Sequence, residues 1–276
     1  MSNTAFQGKT IGIIAGSGEL PCETIERCLA NGRDVFVIGF EGHTDQLPLD
    51  KIPHKIVHLG AVGGAIKALK KSGAETVTFV GRISRPTFSA LKMDLTTLKL
   101  IKRITKARFI GDNFLFKTII SFIEEHGFKV VGVQDIAPEL VTAKGVLGKH
   151  KPNKRMKDDI EIATHILRTM GELDVGQGAI VKSGYVLGIE AIEGTDALIE
   201  RCGELRKKDD GGILVKLKKP SQEDRIDLPT IGVDTVRNIH AAGLKGIAVE
   251  AGASLIVQRE AMMKEANKLG IVVVGV

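Results

Sequence analysis

The chain has 276 residues, 43% apolar and 26% charged, and its 39 Lys and Arg exceed its 33 Asp and Glu to give a formal net charge of +6. This is an ordinary balance for a folded protein and enough length for two modest domains. The positive balance favours anionic partners, but aromatic residues make up only 4%, with no Trp and one Tyr. Stacking platforms for single-stranded nucleic acid are therefore scarce, and a phosphorylated small molecule or an anionic membrane surface suits the charge better. No apolar run reaches the roughly 18–20 residues that cross a bilayer. The opening MSNTAFQGKT lacks the apolar core of a signal peptide, so a cytoplasmic protein is expected. Cys22, Cys28 and Cys202 have no metal-ligand spacing and read as free thiols of a reducing compartment.

TIGIIAG, Thr10 to Gly16, predicts a buried strand, and GELPCETIERCLANG predicts a helix closed by Asn31-Gly32. DVFVIGF is a second strand, followed by a polar loop with His43, Asp45 and Pro48. The pattern resumes with a helix over 61–71, a strand over 76–80, helices over 91–108 and 112–126, and a strand over 129–133. Strands alternating with helices imply parallel pairing through βαβ units, hence a Rossmann-like N-terminal domain over 1–143. Within it MDLTTLKLIKRITKARF sets Leu95, Leu98, Ile101, Ile104 and Thr105 at helical spacing among five basic side chains. A core-packed helix with a solvated basic face competes there with a helix that meets a membrane or an acylated ligand.

Lys144 to Lys157 hold six Lys or Arg and no acid, which reads as a basic linker over 144–157. A C-terminal α/β domain over 158–276 follows. Asp158 and Asp159 open its first helix, and Gly171 closes it. GAIVKSGYVLGIEAI is a hairpin turning at Ser183-Gly184, TDALIERCGEL a helix and GILVKLK a strand, and GLKGIAVEAG, SLIVQREAMMKEANKLG and IVVVGV add strand, helix and strand. The hairpin makes a mixed sheet, so the fold class is α/β with two α/β domains.

Four constellations could carry chemistry. In AGSGELP, Gly16, Ser17 and Gly18 stand between a strand and a helix, where backbone N–H groups can receive a phosphate. Pro21 occupies the third-glycine place of a dinucleotide fingerprint and no Lys-Ser/Thr ending follows, so a tight turn without a ligand competes. In VGRISRP, Arg82 and Arg85 would reach the carboxyl edge of the parallel sheet, where the guanidinium fork suits oxyanions. In EAIEGTD, Glu190, Glu193 and Asp196 could offer oxygen ligands to Mg²⁺, against a plain helix start with Thr195 as cap. In KPSQEDRIDLPTIG, Lys219 to Gly232, Pro229 holds Leu228 extended, and Thr230 is expected to cap the next helix. That leaves Asp227 on a fixed loop beside Arg225, able to hold a metal or a water, or acting only as a turn residue. On these residues a Rossmann-type NAD(P)-dependent oxidoreductase and a non-catalytic nucleotide- or lipid-binding protein both remain open.

Taken in order, IAGSGELP, FVGRISRP, GDN, LDVGQGAIV, EAIEGTDALIERCG, KPSQEDRIDLPTIG and GLKGIAVEAG closely resemble the UDP-2,3-diacylglucosamine pyrophosphatases of lipid A biosynthesis that are not metallophosphoesterases, over essentially the whole chain. The resemblance implies a cytoplasmic, homodimeric enzyme, and binding an amphiphile drawn from a membrane would give the basic segments a use in peripheral contact with the inner membrane. It implies hydrolysis of UDP-2,3-diacylglucosamine to lipid X (2,3-diacylglucosamine 1-phosphate) and UMP, with water attacking the sugar-side phosphorus. The cofactor implied is Mg²⁺, with Mn²⁺ as a substitute. The family's motif R-x-D-L-P-T-I-G falls on Arg225, Asp227, Leu228, Pro229, Thr230, Ile231 and Gly232, which makes Asp227 the implied catalytic residue and metal ligand. Asp224 lies outside the core of that motif. The expected substrate-binding residues are Gly16, Ser17, Gly18, Arg82, Thr195, Asp196, Arg225 and Thr230, with Lys219 a further candidate to offset diphosphate charge.

Overall fold

The computed structural model describes residues 10–44, 47–83, 93–105, 112–205, 211–220 and 222–276. Two compact units divide the chain, Met1–Pro138 with Glu223–Ile226, and Glu139–Gln222 with Asp227–Val276. Both are α/β. Among the described residues no helix is long and apolar enough to cross a membrane. Cys28 and Cys202 are fully buried and all three cysteines are free thiols.

In the first unit β1 (Ile11–Ala15), α1 (Glu19–Ala30), β2 (Val35–Phe40), β3 (His54–Val57), α2 (Val62–Lys71), β4 (Thr76–Val80), α3 (Leu95–Thr105), α4 (Asp112–Glu124), β5 (Lys129–Val130) and α5 (Val133–Ile136) follow one another. The five strands form one parallel sheet in the order β3-β2-β1-β4-β5. Strand β1 is central and buried at every position, which is why it reads as an unbroken apolar run. The chain turns to opposite sides of β1 at its two neighbours, so the loops after β1 and β4 meet at the place where ligands of open parallel sheets bind.

Three details depart from the sequence reading. Strand β3 lies in the stretch read as a polar loop: it is an edge strand with His54, Lys55 and Ile56 exposed, so it has no apolar alternation to betray it. Strand β5 ends at Val130 because Asp135 Oδ2 accepts from Gly132 N at 2.9 Å and starts α5. The buried stripe of α3 runs through Thr97 and Leu100 with Ile104 partly buried, while Leu95 and Leu98 are exposed at 78% and 48%. Asp94 sets that rotation. Its Oδ1 accepts from Thr97 N at 2.7 Å and its Oδ2 from Gly63 N at 2.8 Å, so one carboxylate serves the amino ends of both α3 and α2.

In the second unit come β6 (Gly145–Val146), α6 (Lys154–Glu172), β7 (Gly178–Lys182), β8 (Tyr185–Ile189), α7 (Thr195–Leu205), β9 (Ile213–Lys216), β10 (Thr230–Ile231), α8 (Val233–Ala241), β11 (Gly246–Val249), β12 (Leu255–Ile256), α9 (Arg259–Leu269) and β13 (Val272–Gly275). Six strands make a mixed sheet in the order β6-β13-β11-β9-β7-β8, with β13, β11 and β9 parallel and β7 antiparallel to both of its neighbours. Successive strand residues face opposite sides, and both sides are covered. Ile180, Leu214, Ile247 and Val273 join a core with residues of α7, α8 and α9. Ala179, Val215, Ala248 and Val274 join another with Ile160, Ala163 and Leu167 of α6.

The basic stretch Lys144–Lys157 contains β6 and the first turn of α6, and it belongs to the second unit. Helix α6 starts one turn before Asp158 because Asn153 Oδ1 accepts from Met156 N at 2.9 Å. Asp159 is 3% exposed and has another task, accepting from Ser183 N at 2.9 Å and Gly184 N at 2.7 Å. It thereby pins the β7–β8 turn, whose Ser183 and Gly184 take φ of 54° and 83°. Gly171 does not close α6; it is buried within the helix against Pro220, and Leu173 is the cap.

Candidate active site

At the carboxyl edge of the first unit, Gly16, Ser17 and Arg82 come together. Ser17 N donates to Arg82 O at 2.8 Å, Arg82 N to Ser17 O at 3.0 Å, and Ser17 Oγ to Arg82 O at 3.1 Å. A Cβ on Gly16 would lie 2.3 Å from Arg82 O, so backbone packing by itself demands glycine there. Gly18 is exposed with φ of 103° and has open space around it, and α1 starts behind it without a side-chain cap. The turn thus offers helix N–H groups beside the exposed Arg82. Arg85 lies outside the described residues.

In the second unit Lys219 and Gln222 follow β9, and Asp227 to Pro229 lead into β10. Pro229 O accepts from Leu255 N at 2.8 Å, and Thr230 and Ile231 pair with Leu255 and Ile256 of β12. This stitching fixes the backbone next to Asp227. Thr230 is not the helix cap expected of it: its Oγ1 donates to Leu228 O at 3.0 Å, whereas Gly232 caps α8 and donates its N–H to Thr235 Oγ1 at 3.2 Å.

Asp227 is half-buried, and its Oδ2 accepts a very short hydrogen bond from Gln222 Nε2. Gln222 is 7% exposed, and its amide orientation is determined. Lys219 N donates to Gln222 Oε1 at 2.9 Å, so Oε1 is the acceptor end and Nε2 must face Asp227 and Gln177 Oε1, the latter at 3.4 Å. The Lys219 ammonium meets Asp174 at 2.5 Å.

Arg225 is held by two acidic partners. It belongs to the first unit, where Nε and Nη2 fork over Glu223 at 2.8 and 3.0 Å and Nη1 reaches Glu124 at 3.0 Å. The hydrogen bonds that Arg225 donates to Glu223 hold the Glu223 carboxyl below its ordinary range, and the same bonds raise the guanidinium. Asp224, in the same unit, accepts on its backbone oxygen from Gln134 Nε2 at 3.1 Å.

The EAIEGTD segment splits into separate roles. Glu193 pairs with Arg201 at 2.8 Å, and that hydrogen bond lowers its carboxyl pKa. Asp196 Oδ1 accepts from Asn238 Nδ2 of α8 at 3.0 Å. Thr195 is the first residue of α7, and its Oγ1 donates to Glu190 Oε1 at 3.0 Å and accepts from Lys216 Nζ at 2.8 Å. Glu190 and Lys216 are 6% and 5% exposed.

These buried groups adjoin those around Asp227. Gly178 is the strand partner of Lys216, and Leu217 N donates to Gln177 O at 2.9 Å. Gln177, Lys216 and Gln222 escaped the sequence reading, since neutral amides and a lysine inside an apolar strand carry no pattern of their own. Among the described residues no group of three His, Cys, Asp or Glu side chains is gathered to enclose a metal ion. Mg²⁺ is commonly held by one or two carboxylates with substrate phosphates completing its shell, and the Asp227 carboxylate suits that arrangement better than an all-protein cage.

Known proteins match along nearly the whole chain. The family described as LpxI N-terminal domain matches residues 10–140 and the one described as LpxI C-terminal domain matches residues 143–274. A protein of Caulobacter vibrioides named UDP-2,3-diacylglucosamine pyrophosphatase LpxI is 40% identical over 274 residues, 97% of this chain and 98% of its own length.

Proposed function

The chain belongs to the LpxI family, and from that premise we infer that it hydrolyses UDP-2,3-diacylglucosamine to 2,3-diacylglucosamine 1-phosphate and UMP, a step of lipid A biosynthesis. The observation that carries this reading is the 40% identity across nearly the full length of both proteins to a pyrophosphatase named for that substrate. In the reaction, water forms a bond to the sugar-side phosphorus and the bridging P–O bond breaks toward UMP. The attacking water must be oriented and lose a proton, and the diphosphate must be held in line.

Asp227 is our candidate for orienting that water, with Gln222 fixing the angle of its carboxylate. It is also the side chain to hold Mg²⁺, which when bound offsets charge on the diphosphate oxygens. Lys219 keeps its ammonium beside Asp174, so its help to the diphosphate is moderated by that carboxylate. Arg225, shared between Glu223 and Glu124, anchors the first-unit segment Glu223–Ile226 in this account. In the first unit the Gly16–Gly18 turn and Arg82 are the proposed contacts for an anionic or uridine group, and in the second Thr195 is a proposed substrate contact. A homodimer in peripheral contact with the inner membrane belongs to the same proposal.

Purified protein given UDP-2,3-diacylglucosamine should release UMP and the lipid phosphate in equal amounts. Asp227→Ala should lower that rate by roughly 10²–10³-fold or more, the size of losing a preorganised electrostatic group, with an unchanged melting temperature. Turnover of the variant at the wild-type rate would remove Asp227 from the mechanism. The fingerprint-poor AGSGELP turn predicts no tight binding of NADH, which fluorescence titration checks.

A further inference from the structure

Glu190 is almost completely buried, yet its Oε2 has no hydrogen-bond partner among the described residues. The side chain is not loose. Its backbone N–H donates to Gly178 O at 2.7 Å, and two glycines clasp it: a Cβ on Gly176 would lie 1.9 Å from Glu190 O, and one on Gly178 would lie 2.4 Å from Oε2. The other carboxylate oxygen ends a relay of fixed direction. A lysine ammonium only donates, so Thr195 Oγ1 must accept from Lys216 and give its single proton to Glu190 Oε1. Lys216 and Thr195 therefore orient the carboxylate and support it as an acceptor. A buried carboxylate oxygen without a donor is costly, so the missing donor has to come from outside these side chains.

Strand β8 runs parallel to β9, so Glu190, just beyond its end, leaves the sheet at the edge from which the Lys219–Gly232 segment departs. The dipeptide Gln177-Gly178 links the two groups, since Gln177 touches Gln222, the partner of Asp227, and Gly178 borders Glu190 Oε2. A phosphate brings acceptors and cannot supply the donor. An acid just past a strand at such an edge is what dinucleotide-binding sheets use to accept from a sugar hydroxyl. Resting on the function proposed above, we infer that Glu190, positioned by Thr195 and Lys216, accepts a hydrogen bond from a carbohydrate hydroxyl of the substrate. Both the ribose and the hexose carry such hydroxyls.

The test compares affinities by calorimetric titration of UMP against its 2′-deoxy and 3′-deoxy forms, and of 2,3-diacylglucosamine 1-phosphate against its 4-deoxy and 6-deoxy forms. Wild-type protein should prefer one parent ligand by roughly 10- to 100-fold, the size of a hydrogen bond to a charged group. The ligand that shows the preference identifies the sugar. Glu190→Ala should erase that preference and leave the affinity for the deoxy analogue unchanged, and Thr195→Val should lower it partway. Should Glu190→Ala fail to fold, the same ratio read on Glu190→Gln and Thr195→Val decides the matter, because both keep side-chain volume. A preference that survives at wild-type size in every folded variant, or a wild type with no preference for any hydroxyl, overturns the inference. Wild-type turnover of UDP-2,3-diacylglucosamine with such ratios refutes this inference alone, whereas absence of turnover and of product binding refutes the function on which it rests.

Discussion

The two units place their polar groups at sheet edges in different ways. In the first unit the edge at β1 and β4 is made by backbone: Gly16 is required by the approach of Arg82 O, and hydrogen bonds between Ser17 and Arg82 close the turn. In the second unit the edge is made by buried side chains, with Gln222 holding Asp227 and Lys216 and Thr195 holding Glu190. Backbone packing explains glycine at position 16 without invoking a ligand. Buried polar side chains are costly to keep unless they are satisfied or used. The comparison therefore shows a structural demand at the first edge, and the second, with Asp227 and Glu190, is the edge where the chemistry is proposed.

Perturbations should separate the two. Exhaustive chelation should lower turnover by roughly two orders of magnitude or more, since a Lewis acid on the diphosphate supplies several kcal/mol, while thermal melting stays unchanged. Full activity after chelation would remove Mg²⁺ from the mechanism. Gln222→Leu, which removes the donor to Asp227 Oδ2 and the acceptor for Lys219 N, should reduce kcat about 10- to 100-fold, the loss of a hydrogen bond to a charged group. A normal kcat would mean that Gln222 does not position Asp227. Asp94→Ala in the first unit should destabilise by about 1–2 kcal/mol through loss of a helix cap. It should leave kcat intact at temperatures where the protein is folded, and a kcat defect there would blur the separation.

The smallest effect concerns Arg225. The Glu223 carboxyl is lowered from its ordinary 4.5 mainly by the hydrogen bond from Arg225. A depressed acid stabilises the fold above its unfolded pKa, and that contribution is lost as pH falls through the lower folded value. Arg225→Gln should therefore be less stable at neutral pH by under about 1 kcal/mol, because the pair is partly exposed. The difference should vanish in acid, and chemical denaturation at both pH values measures it. A deficit that persists in acid would mean that Arg225 acts through packing.

Much of the fold was legible because apolar periodicity survives wherever a strand or helix buries a regular face. Strand β1, buried at all positions, and the hairpin at Ser183-Gly184 are examples. Strand β3 was not legible, since an exposed edge strand has no pattern to read. The rotation of α3 depended on Asp94 bonding two helices at once, a long-range contact that no local window contains. Within the site, Asp227 stood out through its motif. Gln177 and Gln222 did not, because an amide becomes informative only when the groups it joins are known. The ion pairs of Arg225 were not legible for a related reason: its neighbours in space, Glu223 and Glu124, are separated from each other by about a hundred positions in the chain.

The central claim is that this chain directs water onto the sugar-side phosphorus of UDP-2,3-diacylglucosamine. Single-turnover hydrolysis in ¹⁸O-labelled water, followed by mass spectrometry of both products, tests it most directly. The account predicts one labelled oxygen in the 2,3-diacylglucosamine 1-phosphate and none in UMP; label in UMP, or no cleavage, would contradict it.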